Sequence, residues 1–229
     1  MKIRRVVVTG AGHGIGAQIA KEFENLGHTV HGLDLPKFDL SNSQVVTDLF
    51  AELGSIDILV NNAGGVAGQV HHPIDEVTDQ NWKAIFDANV QTMFNCTRAV
   101  AGAMKGNKWG RIINISSGAG RSVSLTGIQA YASAKAAQIA FTRQMAHELG
   151  EFGITVNCIA PGFILSNPSS IKQWESYGEG GQAKILGGIA TRRLGLPSDI
   201  AHAVRFFADE GSAWVTGQCL SVDGGHSLF

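Results

Sequence analysis

The chain lacks most of what marks a secreted, membrane-embedded or nucleic-acid-binding protein. It has three cysteines, Cys96, Cys158 and Cys219, far apart in sequence. An odd, widely spaced set makes no disulfide framework and shows no metal-ligand spacing. No apolar run approaches the roughly 18 residues that a membrane-spanning helix needs. The start, Met1-Lys2-Ile3-Arg4-Arg5, leads straight into Val6-Val7-Val8 and a turn, without the apolar core or small-residue cleavage site of a signal peptide. A soluble, cytoplasmic setting is the expectation. Charge is also scarce: 16 % of residues, with 18 Lys and Arg against 19 Asp and Glu. That balance argues against nucleic acid or an anionic membrane as a partner.

What is present is apolar residue and glycine. At 229 residues and 44 % hydrophobic, the chain can bury a sizeable core, and one dinucleotide-binding and catalytic domain over 1–229 is expected. The 29 glycines follow no fibrous period, so they mark tight turns and close backbone approaches. Short β-branched runs (3–9, 29–33, 56–61, 111–116, 155–160 and 219–222) alternate with longer helical patterns. Most of these runs are continuously apolar, as in strands buried on both faces of a parallel sheet. The reading is a doubly wound α/β fold: a single Rossmann-like, mostly parallel, seven-stranded sheet with helices on both faces. One link is odd. Phe38-Asp39-Leu40 resembles the end of a third strand, yet Leu35, Pro36 and Lys37 alone separate it from Asp34. A parallel crossover needs a dozen or more residues, so that strand is vestigial or this edge lacks its usual helix.

The first strand runs into Gly10-Ala11-Gly12-His13-Gly14-Ile15-Gly16 and then a helix. Glycines let the backbone turn tightly against a pyrophosphate, and a helix N-terminus offers free N–H groups and a positive dipole end. His13 stands where a cation would help a phosphate. Asp34, 24 positions beyond Gly10, closes the second strand. A carboxylate there can accept from both ribose hydroxyls and would repel a 2′-phosphate, which favours NAD over NADP; the nearby Lys37 argues the other way.

Tyr131 and Lys135 stand four residues apart, on one face of a helix. A phenol with pKa near 10 is a poor acid at neutral pH, and a neighbouring ammonium would lower that value. The pair can thus serve as general acid and base.

Together these motifs give a family resemblance over essentially the whole chain. Thr9-Gly-x-x-x-Gly-Ile-Gly16, Asn61-Asn62-Ala63-Gly64, Asp87-Ala-Asn-Val90, Asn114-Ile-Ser-Ser117, Tyr131-x-x-x-Lys135, Pro161-Gly162 and Val222-Asp-Gly-Gly225 occur in that order. The chain resembles the short-chain dehydrogenases/reductases. The resemblance implies that Tyr131 exchanges the proton with the substrate oxygen and that Ser117 hydrogen-bonds that oxygen. It implies that Lys135 binds the nicotinamide ribose and that Asn89 holds a water behind it. Gly10, Gly14 and Gly16, with Gly12, His13 and Ile15, would surround the pyrophosphate. Asp34, Asp39 and Leu40 would border the adenosine; Asn61, Ala63 and Gly64 would lie along the cofactor. Pro161, Gly162, Ile164 and Ser166 would meet the nicotinamide end. No metal is required. Two departures stand out: the short link after Asp34, and a Ser117-to-Tyr131 spacing of 14, one longer than the commonest in the family, which keeps Ser116 open and, less so, Ser122 and Ser124.

The substrate wall is expected from 65–73, 118–129 and a glycine-rich lid over about 163–190, where Trp174 and Tyr177 could pack on a substrate. His71-His72 is read as pocket entrance, and Arg121 as a surface ion pair or a contact for an anionic substrate. The first functional reading is an NAD-dependent oxidoreductase acting on a secondary alcohol or ketone, the substrate a small polyol or sugar. Alternatives are an NADPH-dependent 3-oxoacyl thioester reductase and, outside enzymology, a dinucleotide-sensing protein. The resemblance also implies a homo-oligomer, dimer or tetramer, with Phe206, Trp214 and Phe229 as exposed apolar candidates.

Overall fold

A computed structural model describes residues 2–228; Phe229 lies outside them. Six parallel strands form one sheet: β1 (Arg5–Thr9), β2 (Thr29–Leu33), β3 (Ile58–Asn61), β4 (Gly110–Ile115), β5 (Ile154–Pro161) and β6 (Cys219–Val222), in the spatial order β2-β1-β3-β4-β5-β6. Adjacent side chains of a strand point to opposite faces, so each central strand feeds two cores. Val6 and Val8 meet α1 (Gly14–Asn25) and α8 (Pro197–Ala208) on one face. Val7 meets α2 (Ser43–Leu53), α4 (Thr92–Asn107) and α5 (Gln129–Leu149) on the other. Both faces of β3, β4 and β5 are fully buried, which explains why their sequences run apolar without alternation.

The sheet has six strands where seven were expected. Phe38–Leu40 is no strand: two turns, Phe38 N–H to Asp34 carbonyl and Asn42 N–H to Asp39 carbonyl, carry the chain directly into α2. The link is too short to cross over and return in parallel, so β2 remains the sheet edge. The leftover apolar residue, Leu40, is buried in the α2/α4 core instead. Helix α2, which the sequence reading left unnamed, starts on Asn42, whose side-chain oxygen accepts from Gln44 N–H (2.9 Å) and Val45 N–H (3.3 Å). It buries Val46 and Phe50 and carries the crossover from β2 to β3.

The strand order reverses direction at β1, between β2 and β3. In such sheets the crevice outside the carboxyl ends at the reversal takes the ligand. Here that crevice is a cleft of ≈ 690 Å³.

Candidate active site

The turn after β1 forms one end of the cleft. Gly10, His13, Gly14 and Ile15 line it. Gly14 needs its glycine twice: its φ is +59°, and a Cβ would stand 2.5 Å from the Ser166 carbonyl oxygen. At Gly16 a Cβ would run into the Gly10 carbonyl oxygen, so this residue, buried behind the turn, sets how closely α1 approaches β1. Helix α1 begins without a side-chain cap and without an acidic residue in its first turn. Its first N–H groups are therefore free for an anion. A backbone cradle that a Cβ would fill, joined to an uncapped helix N-terminus, fits a dinucleotide pyrophosphate.

Asp34 sits at the next strand end. Its carboxylate accepts from Gly12 N–H (2.6 Å) and Leu35 N–H (2.8 Å), which anchors the glycine turn to β2. Gly12 itself does not line the cleft, whereas Asp34, Asp39 and Leu40 do. Asp39 caps its own turn, its Oδ1 accepting from Ser41 N–H and Oγ–H. Beyond β3, Ala63 and Gly64 line the cleft but Asn61 does not. The Asn61 side chain turns into the core, where Nδ2 donates to Asn114 Oδ1 (2.9 Å) and Thr97 Oγ1 (3.2 Å). Its neighbour Asn62 takes the cleft position and ties the two loops, Nδ2 donating to the Thr9 and Gly10 carbonyls at 3.0 Å each. Thr9 Oγ1 returns the tie by accepting from Asn62 N–H (3.0 Å) and Ala63 N–H (2.9 Å). The two asparagines are equally polar; the pleat at the end of β3 turns Asn61 into the core, and Asn62, one residue past the strand, points the other way. At the far end, Pro161, Gly162, Ile164 and Ser166 line the cleft after β5.

The residues that the resemblance marks as catalytic converge in the middle. Helix α5 presents Tyr131 and Lys135 to the cleft, and the end of β4 presents Ser117. Ser117 hydrogen-bonds Tyr131, which draws the phenol down, but burial outweighs that bond and pushes Tyr131 above its ordinary value. Ser116 is spent elsewhere: it is buried and its Oγ donates to the Lys135 carbonyl (2.7 Å). The one-residue longer spacing thus leaves Ser117 beside the tyrosine. Lys135 is buried, and the loss of water around its ammonium brings its pKa down to about 8. Its Nζ stands 5.7 Å from the Tyr131 ring centre and donates to the Ile115 carbonyl (3.0 Å) and to Gln138 Oε1 (3.1 Å). The expected lowering of Tyr131 by its cationic neighbour is therefore not the dominant effect; desolvation is.

Asn89 lies in a π-helical segment, Asp87–Gln91, between α3 (Asp79–Phe86) and α4, and is fully buried. Its side chain pins the loop after β3: Nδ2 donates to the Gly65 and Ile85 carbonyls (2.8 Å each) and Oδ1 accepts from Gly65 N–H (3.0 Å). Its carbonyl accepts from Gln138 Nε2 (2.9 Å). The sequence reading missed Gln138. The signal was a polar residue among the apolar positions of α5, three residues after Lys135.

The segment expected as a glycine-rich lid over about 163–190 holds two helices, α6 (Pro168–Ser176) and α7 (Gly178–Gly188). Asn167 and Ser170 form a capping box, with Pro168 in the first turn, and Gly178 at φ +59° separates the helices. Trp174 and Tyr177 pack behind Phe163 (5.9 and 6.1 Å between ring centres); Phe163, Gln173, Ile185 and Ile189 face the cleft in their place. His71 Nδ1 meets the Gly127 carbonyl (2.8 Å), joining two walls of the entrance. Arg121 reaches β6, its Nη1 donating to the Cys219 carbonyl (3.0 Å) and Ser221 Oγ (2.8 Å).

Comparison with known proteins agrees with this architecture. The family profile described as enoyl-(acyl carrier protein) reductase matches residues 37–227. The (2S)-[(R)-hydroxy(phenyl)methyl]succinyl-CoA dehydrogenase subunit BbsD of Thauera aromatica is 37 % identical over 252 aligned positions, covering 99 % of this chain and 97 % of that one. A 3-oxoacyl-[acyl-carrier protein] reductase from Brucella melitensis, solved with NAD bound, superposes with a TM-score of 0.83 at 29 % identity, over 99 % of this chain and 92 % of that one. ElxO, solved with NADP bound, superposes with a TM-score of 0.87 at 27 % identity, over 98 % and 99 %. With this fold, this cleft and these relatives, the chain belongs to the short-chain dehydrogenase/reductase family, oxidoreductases that act on CH–OH and keto groups of small molecules with a nicotinamide cofactor.

Proposed function

We propose that the protein is an NAD-linked oxidoreductase that interconverts a secondary alcohol and a ketone. The observation that carries this reading is the meeting of Ser117, Tyr131 and Lys135 in one cleft with an uncapped, glycine-rich helix start at its other end. Tyr131 Oη gives a proton to the substrate oxygen on reduction and takes it on oxidation. Ser117 Oγ–H, already in contact with that phenol, donates to the same oxygen and steadies its developing charge. Lys135 holds the ribose hydroxyls, and its charge favours the phenolate. The nicotinamide, when bound, supplies or accepts the hydride. Asp34 supports NAD over NADP, because a carboxylate at the ribose end repels a 2′-phosphate. Helices α6 and α7 act as the lid of a single catalytic domain. The protein assembles as a homodimer or homotetramer, for which the exposed Phe206 and Trp214 offer contact surface; light scattering on the eluting protein measures the mass.

For substrate, the hydroxyl-rich wall of Ser122, Ser124, Thr126 and Ser170 suits a small polyol or sugar. A second reading, a 3-oxoacyl thioester reductase, draws on Val123 and Leu125, which line the cleft yet are 90 % and 58 % exposed, as an acyl-binding rim would be. A panel of polyols, sugars, steroids and 3-oxoacyl thioesters, followed at 340 nm with NADH and NADPH in parallel, separates the two. Tyr131→Phe is expected to lower turnover of the best substrate by about 10³-fold while keeping NAD binding. Unchanged turnover in that variant would remove the assigned chemistry.

A further inference from the structure

Gln138 is fully buried on α5, three residues after Lys135. A buried amide is costly unless both ends are bonded. Here both are: Oε1 accepts from Lys135 Nζ (3.1 Å) and Nε2 donates to the Asn89 carbonyl (2.9 Å). Its backbone carbonyl accepts from Thr142 Oγ1 (2.8 Å), whose oxygen accepts from Asn114 Nδ2 (2.9 Å), and Asn114 Oδ1 accepts from Asn61 Nδ2. A chain of polar groups thus crosses the sheet from the strand ends to the lysine. The junction between Lys135 and Asn89 is where the family resemblance implies a water. In this chain it is bridged by a side-chain amide, which holds its protons at neutral pH and carries none onward.

We propose that Gln138 is a positioning residue for the Tyr131–Lys135 pair: its oxygen holds the Lys135 ammonium in place while its nitrogen fixes it to the π-helical segment at Asn89. The proposal rests on Tyr131 and Lys135 being the acid–base pair. Lys135 Nζ has two protein acceptors, Gln138 and the Ile115 carbonyl. The titratable groups that face it are Tyr131 on its own helix and Cys158 on β5, the latter hydrogen-bonded to Cys219 on β6. Asp87 and Asp223 line the same cleft but are not among the groups that shift it. When one proton is shared by the tyrosine and the lysine, it rests on either. An acceptor on the ammonium favours proton on lysine and phenolate on tyrosine. Gln138 therefore makes the phenolate available at lower pH.

The chain has two tyrosines, Tyr131 and Tyr177. In a Tyr177→Phe background, phenolate absorbance at 295 nm reports Tyr131 alone and needs no substrate. Gln138→Leu is expected to move the Tyr131 midpoint up by about one pH unit, and Gln138→Glu, which keeps the acceptor, to bring it back. The pH profile of alcohol oxidation should move with it. Where the leucine variant does not fold, Gln138→Met, similar in length and without donor or acceptor, is read in the same way. A midpoint equal to wild type in Gln138→Leu or Gln138→Met would mean that Gln138 only fills space. That result leaves the Tyr131 assignment standing, whereas an active Tyr131→Phe enzyme removes both.

Discussion

Lys135 is kept at the cost of stability. The unfolded chain holds the lysine proton up to the ordinary 10.5; the folded chain gives it up near 8. Between those values the unfolded state binds more protons, so stability rises with pH across the window. Two and a half pH units correspond to roughly 3 kcal/mol of penalty at pH 7. Lys135→Met has no such titration. Urea unfolding of both proteins at pH 7 and pH 10 should show the wild type gaining roughly 3 kcal/mol relative to the variant; parallel curves would mean that the lysine titrates normally. Tyr131, Lys135 and Ser117 were readable as residue types at fixed spacing. Asn61 was not placed correctly, because its neighbour Asn62 is identical in type and the pleat at the end of β3 turns Asn61 to the core and leaves Asn62 to the cleft. Gln138 bridges Lys135 to Asn89 only because folding brings Asn89 to its far end.

At the scale of elements, the strand–turn–α1 unit is where local sequence dictates most. Gly16→Ala forces α1 away from the Gly10 carbonyl. The cost is expected to reach 2 kcal/mol or more, within the range for overpacking, and NADH binding, followed by fluorescence titration, should weaken at least tenfold. A variant that binds NADH normally would show that the turn has room. The π-helical segment between α3 and α4 is the opposite case. Its residues read as continuous helix, and nothing in their period announces the widened turn that puts Asn89 inward. Helix α2 was missed for a related reason: Phe38-Asp39-Leu40 imitates a strand end, and in a linear reading that imitation hides the Asn42 cap two residues on.

Across the whole molecule, stability is uneven. The sheet and the helices on its two faces hold the cores, whereas α6 and α7 contain no buried residue, and Trp174 and Tyr177 pack on Phe163 beside the cleft. Such a segment opens at low cost. Hydrogen exchange should be fastest within 167–190 in the free protein and slow there when NADH is added with a substrate identified in the panel. Uniform protection would argue against a lid. No helix among the described residues is long and apolar enough to cross a membrane.

The alternation of strands and helices, the parallel sheet and the glycine turn before α1 were determined by the sequence alone, because they rest on local rules: apolar runs, helical periods, glycines where a Cβ cannot fit. The number of strands, the inward turn of Asn61, the two helices α6 and α7 and the bridge from Lys135 through Gln138 to Asn89 were decided by tertiary structure. Each depends on which atoms from distant segments compete for the same space or the same proton, and that competition exists only once the sheet has formed.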